Sequence, residues 1–496
     1  MKRILFLFIC FCIVISNFPS VWAQSSILAL DPHLLNWLKF NVSPVTHLPY
    51  SFYIPEKDKA AVYQHMESSG ALKGSIERTI THEGMDIYDG AVYQIVLSMA
   101  GGDENLKQAS LADQYYWQGA VGETWNIRAG FPINTFVYDP KNPEAVSSDM
   151  SQLGQRGFIF RIIDADGKYL VTDPLDGKES LAGFPDGDRL HWVDWKPVAG
   201  ENAWVVIAAM QIYHKKYAFS QQPNSVELKL SREIARAAIM LQSDIGGIRM
   251  APLGTNRTLT IEEKNNFTEN NWWYNHISTE NNISWYAAFR MLYQITGDGQ
   301  YKNAMNGIEH YLRFVWNKDK GYFYQGAYFI NGQWVVSNEN FALDVQTWGI
   351  ACIGPKNLDD WFGQGAAWHL WQAGREHSGV FDKQDNVLGV GYSDEHDRIS
   401  VEWSAGAMVA LSELEDYYNA QNSDWAMQAL ADKTSMRKSM ESLHSNISES
   451  LAAYSYSSRR GEIPFGWNSH DPQVMSLAST GWMIFVDAGF NPFWLL

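Results

Sequence analysis

Three acidic residues stand in frames where an acid is costly to leave without a partner. Glu280 follows Trp272, Trp273 and Tyr274 and precedes Trp285, Asp344 lies between Leu343 and Val345, and Glu402 lies between Val401 and Trp403. A carboxyl group among apolar and aromatic side chains is driven toward its protonated form, which suits it to proton transfer near neutral pH. One carboxylic acid to protonate a leaving oxygen, with one carboxylate to activate water or attack carbon, is the pair that cleaves a glycosidic bond. Glu280 is therefore the candidate general acid, and Asp344 and Glu402 compete for the partner role. All three positions equally suit carboxylates that cap or support the first turn of a helix; for Glu280, Ser278 or Thr279 would then be the cap.

Other residue types near these acids suit a polyhydroxylated ligand. Asp86 and Asp89 bracket Ile87-Tyr88 and fit gripping of sugar hydroxyls as well as proton transfer. Trp204, Trp273, Trp348 and Trp403 offer aromatic faces, and His276, Asn281, Gln346 and His470 offer hydrogen bonds. With 21 Trp, 24 Tyr and 24 Phe the chain is rich in rings that pack in cores and also stack on sugar faces. Metal chemistry has little to work with. Asp164-Ala165-Asp166-Gly167 begins like a calcium loop but lacks the later ligands, and H-E-x-x-H, glycine-rich nucleotide loops and G-x-S-x-G are absent. No metal and no cofactor is expected.

The acids share a position within a recurring unit: a short polar lead, an apolar helix rich in small residues, and a second, more amphipathic helix. In the clearest copy, Ile283, Tyr286, Ala287 and Met291 recur at helical spacing. Gly297 then ends that helix and Asp298 starts the next. Openings at about Asp86, Glu201, Glu280, Asp344, Glu402 and Ser479 make six units. Second helices are expected at Leu106 to Tyr116, Val226 to Gln242, Trp361 to Ala373 and Lys433 to Leu451, besides the one after Asp298. The sixth unit lacks room for a full second helix, and either the helix before the Ser479 unit or one from the N-terminal region, such as Pro32 to Phe40, is a candidate to supply it. Helix pairs that close into a ring gather their polar leads at one end of the hole, which is the default place for a site.

The blocks S-T-E-N-N with T-G-D-x-x-Y, A-L-D-V-Q-T-W-G, G-E-N-A-W and Y-D-G-A resemble bacterial proteins of the six-hairpin glycosidase superfamily, from about Asp86 to Trp482. The resemblance implies an all-α fold, an (α/α)6 toroid with acid catalysis in its central cleft, commonly with inversion at the anomeric carbon. One small β insertion is expected: Phe158 to Ile163 and Lys168 to Thr172 flank a turn at Asp164 to Gly167 and read as a β-hairpin. A loop-like, acid-rich stretch follows as far as Trp195. Without a Pro- or Ser-rich linker, residues 24–496 read as one barrel domain with this insertion near 157–195.

Lys2-Arg3, the apolar run from Ile4 to Ile15, and Val21-Trp22-Ala23 follow the order of a secretory leader, with cleavage expected after Ala23. That places the mature chain in the periplasm or outside the cell, with no membrane span. Cys10 and Cys12 leave with the leader, so Cys352 alone cannot form an internal disulfide. The 38 basic and 55 acidic side chains give −17, and losing Lys2 and Arg3 takes the mature chain to −19. Such a surface repels phosphate backbones, so nucleic acid is not an expected partner; carbohydrate is. A polysaccharide lyase remains an alternative through Arg249, Arg290 and Arg398, as does a non-catalytic glycan-binding protein of the same fold. A sugar epimerase of this shape would want paired histidines on the barrel floor.

Overall fold

A helix that is apolar on every side has no face to give to water and must be wrapped by others. Among the described residues six such helices recur, and their mutual burial sets the architecture. The computed structural model describes residues 30–71, 76–117, 158–159, 161–166, 171–172, 179–180, 197–252, 272–421 and 423–496. The expected leader at 1–23 and most of the stretch at 167–196 lie outside the described residues.

In chain order the described α-helices are Pro32–Phe40 (α1), Lys59–Ser68 (α2), Ile76–Glu83 (α3), Ile87–Ala100 (α4), Asp103–Tyr115 (α5), Ala199–Tyr217 (α6) and Val226–Met240 (α7). Then come Thr279–Thr296 (α8), Gly299–Phe314 (α9), Leu343–Ile353 (α10), Pro355–Phe362 (α11), Ala366–Ser378 (α12), Val401–Asn419 (α13), Asp424–Ser439 (α14) and Leu477–Asp487 (α15). Helices α4, α6, α8, α10, α13 and α15 are buried along nearly their whole length. Each packs on the next, and α15 returns to α4, so the ring closes. Around it, α5, α7, α9, α12 and α14 each back the inner helix that precedes them in the chain, and α1 backs α15. The N-terminal helix therefore supplies the sixth outer partner. This is the all-α (α/α)6 toroid, and among the described residues its short strands form no closed sheet. No described helix is long and apolar enough to cross a membrane.

Several boundaries differ from the sequence expectation. The outer helix expected at Lys433 to Leu451 runs instead from Asp424 to Ser439, because Ser423 caps it by accepting from Trp425 N. The one expected at Trp361 to Ala373 is broken in two by Gly363 and Gly365, both at positive φ, where glycine alone is comfortable.

Residues 167–170, the turn end and most of the second arm of the expected hairpin, lie outside the described residues. Among the described residues, Ile162–Asp164 pairs antiparallel with Gly84–Asp86, and Val171–Thr172 pairs with Glu179–Ser180. The turn after Asp164 does form, with Asp164 accepting from Asp166 N at 3.0 Å, but its first arm serves the lead into α4. A different hairpin carries the strongest turn chemistry. Gly326–Ile330 and Gln333–Ser337 are joined by Asn331 (φ 52°) and Gly332 (φ 80°), the left-handed pair of a type I′ turn. Gly326–Ile330 also pairs with His276–Ser278, which runs directly into α8.

Candidate active site

Every inner helix begins at the same end of the ring, and serines do much of the capping there. Ser278 accepts from Asn281 N at 3.3 Å, Ser400 from Trp403 N at 3.3 Å and Ser476 from Ser479 N at 3.2 Å. Glu280 and Glu402, in the first turns of α8 and α13, are thus not needed as caps. Asp86 is itself a cap, accepting from Tyr88 N at 3.0 Å at the start of α4. Glu201 lies in the first turn of α6 and Asp344 in that of α10.

These carboxyls act on one another. Burial, then the charges of Asp344, Glu201 and Glu402, hold Glu280 well above the usual carboxylate range, against an opposing hydrogen bond from Ser284 Oγ at 3.0 Å. Burial pushes Asp344 up to about 7, offset by Val345 N–H, which donates to its Oδ1 at 2.8 Å. Burial also pushes Glu402 up to about 7, helped by Asp344 and opposed by a hydrogen bond from Tyr88. Asp89 stands well above its ordinary value through burial, then Asp86 and Glu402. Acids from α4, α6, α8, α10 and α13 thus converge on one floor.

Polar contacts fix individual floor residues. Trp482 Nε1 donates to Tyr88 Oη at 2.6 Å, and Tyr88 Oη donates to Glu402 Oε1 at 2.5 Å. The Asn281 amide, turned to satisfy both its ends, donates to Glu280 Oε2 at 2.5 Å and accepts from Gly200 N at 3.3 Å. Arg161 reaches toward two acids, with Nε 3.3 Å from Glu201 and a terminal nitrogen 3.9 Å from Asp86.

The structure sorts the sequence candidates. Glu280, Asp344, Glu402, Asp86, Asp89 and Asn281 come together. Trp204, at 1 % exposure, does not offer a face to ligand. It packs with Trp348, Trp482, Phe493 and Tyr88 in an aromatic plug within the ring. Trp348 belongs to the same buried plug. Gln346 has its side chain committed to Phe323 N, Phe323 O and Ala342 O, so it holds the Tyr322–Phe323 strand rather than substrate. Trp403 is nearly buried against Tyr392 and Phe465. Trp273 and His276 lie beside α8's entry with Trp272 and Tyr328. His470 packs on Phe52 and Tyr456 and faces Glu77 and Arg460; burial lowers it to about 4, and it is not among the groups acting on the floor carboxyls. The three arginines that favoured a lyase are occupied: Arg249 with Tyr274 O, Arg290 with Cys352 O and Phe493 O, Arg398 with Ser469 and Glu462 O.

Tyr88, Glu201 and Arg161 are floor residues that sequence reasoning passed over. Tyr88 lies between the two acids Asp86 and Asp89, and Glu201 opens one of the six units, so position within the unit was their signal. Among the described residues, no group of three or more His, Cys, Asp and Glu is arranged to hold a metal ion.

No family model matches the sequence. No curated protein matches it either. Solved structures do match, over nearly the whole chain. A sugar epimerase from a ruminal bacterium is 10 % identical with a TM-score of 0.54, covering 92 % of this chain and 96 % of that one. A D-mannose isomerase is 10 % identical with a TM-score of 0.50 over 95 % and 99 %. A cellobiose 2-epimerase from Bacillus thermoamylovorans is 11 % identical with a TM-score of 0.50 over 92 % and 96 %. At such identities the likeness is one of fold: this chain has the same (α/α)6 toroid as these structures.

Proposed function

We propose that the protein is an enzyme acting on carbohydrate, and that it hydrolyses glycosidic bonds through the carboxyl floor. The observation that carries this reading is the burial of Glu280, Asp344 and Glu402 together at one end of the ring, which raises the proton affinity of all three, with Asp344 adding to that of the other two. Glu280, ringed by three acids, keeps its proton longest and is the general acid. Glu402 accepts the Tyr88 O–H, a contact that favours its ionised form, and is the base or nucleophile. Asp344 stands beside both and holds up the affinity of each for a proton. Protonation of the leaving oxygen by Glu280, with water or the sugar carbon met by Glu402, completes the two-carboxyl scheme.

A second reading, epimerisation or isomerisation of a sugar, is favoured by one observation: the three matching structures carry those activities in their names. Against it, the charges that raise Glu280, Glu402 and Asp89 are those of other carboxyls. The deciding experiment incubates the protein with a glycan panel and follows both new reducing ends and changes in sugar configuration. Hydrolysis predicts new reducing ends that vanish in Glu280→Gln. Configurational change without new ends replaces hydrolysis with the second reading, and a new unsaturated uronate would point to a lyase. Export after cleavage at Ala23 belongs to the same proposal; a mature N-terminus at Gln24 supports it, and a cytoplasmic chain starting at Met1 overturns it.

A further inference from the structure

Beside Glu402 a row of rings leads from the floor to the surface. Trp403 is 6 % exposed, Phe465 is half-buried and Trp467 is 39 % exposed. Their centroids are 6.1 Å and 5.8 Å apart, with tilts of 26° and 38°. Phe465 and Trp467 sit on the hairpin of Gly461–Ile463 and Trp467–Ser469, whose turn contains Gly466 at φ 97°. Trp467 is held in place: its Nε1 donates to Tyr456 Oη at 3.1 Å. Tyr456 and Tyr392 in turn lie within reach of the Glu402 charge. The indole is thus fixed at its nitrogen and packed on Phe465 while much of its surface stays open to solvent. A flat ring in that position suits the apolar face of a sugar.

Resting on the carbohydrate reading, we infer that Phe465 and Trp467 form a rim subsite holding sugar units beyond the bond acted on at the floor. The substrate is then a chain of several units rather than a monosaccharide or disaccharide. Trp467 fixes the position of those outer units and takes no part in proton transfer.

The test measures kcat/KM on gluco- and manno-oligosaccharides of two to six units for the parent, Trp467→Ala and Trp467→Phe. The parent is expected to gain with chain length. Trp467→Ala should lose about tenfold on the longest substrates, mostly in KM, while matching the parent on the disaccharide. Trp467→Phe, which keeps a ring, should recover most of that loss. A variant that retains the parent's dependence on length overturns the subsite, and so does an equal loss on every length, which marks a structural role. If the parent acts on the disaccharide with no gain on longer chains, the subsite falls and the carbohydrate reading stands. If it acts on no member of either series, both fall.

Discussion

A carboxyl group with a folded pKa near 7 and an ordinary one near 4.5 holds, at intermediate pH, a proton that the unfolded chain gives up. Glu402 is in that position, so its contribution to stability is fully present below about pH 4.5 and is lost as pH rises through about 7. Glu402→Gln removes the titration while leaving an amide oxygen for Tyr88. It should change stability little at pH 4 and raise it at pH 8, by on the order of 3 kcal/mol. Urea unfolding at the two pH values checks this, and an equal effect at both would show that charge is not the cause. The same shift sets the rate profile. Because the base must ionise, kcat/KM should climb as pH rises through about 7 and fall only where Glu280 loses its proton; a limb centred near pH 4 would remove Glu402 from that role. At this scale the sequence exposed the acids through their apolar frames. It could not expose the Tyr88–Glu402 bond, which joins residues on opposite sides of a long chain, nor the burial of Trp204 and Gln346, since an all-apolar helix gives no sign of which face meets the hole.

Elements meet closely where α6 crosses α8. A Cβ on Gly200 would stand 2.2 Å from the Asn281 side-chain amide, which is the group holding Glu280. Asn281 is buried and must shift to admit the added methyl, so Gly200→Ala should cost about 1–3 kcal/mol as an overpacked contact. By displacing Asn281 it should also lower kcat more than it raises KM. Thermal unfolding and steady-state kinetics test the two parts together; a variant with unchanged stability and rate would mean that this crossing does not position Glu280. The six units were legible because each inner helix joins a polar lead to a run of apolar and small residues, a pattern that survives without knowledge of packing. Long-range strand pairing was not: nothing local to Ile162–Asp164 announces its partner at Gly84–Asp86, far back in the chain. The Asn331-Gly332 pair announced the one hairpin that aims α8, yet the helical rhythm on either side drew the reading past it.

For the molecule as a whole, a closed ring differs from an open stack of repeats in having no end from which to fray. The six openings, with only five followers, left the last outer partner to the helix before Ser479 or to one near the N-terminus, and α1 takes that place on α15. At that seam Trp37 and Leu38 are fully buried, and Gly481 of α15 brings its helix so near α4 that a Cβ there would meet Val92 at 2.3 Å. The seam also carries the floor, because Trp482 of α15 donates to Tyr88 of α4, which holds Glu402 of α13. Trp37→Ala should therefore cost about 3–5 kcal/mol, as for other large aromatic truncations in cores. It should do so in one cooperative step rather than by releasing α1 alone. Circular dichroism, tryptophan fluorescence and loss of turnover followed through the same denaturant series should give coincident curves, shifted together to lower denaturant. An early transition confined to part of the signal, with turnover intact beyond it, would show that α1 is an appendage and that the other five pairs hold the floor without it.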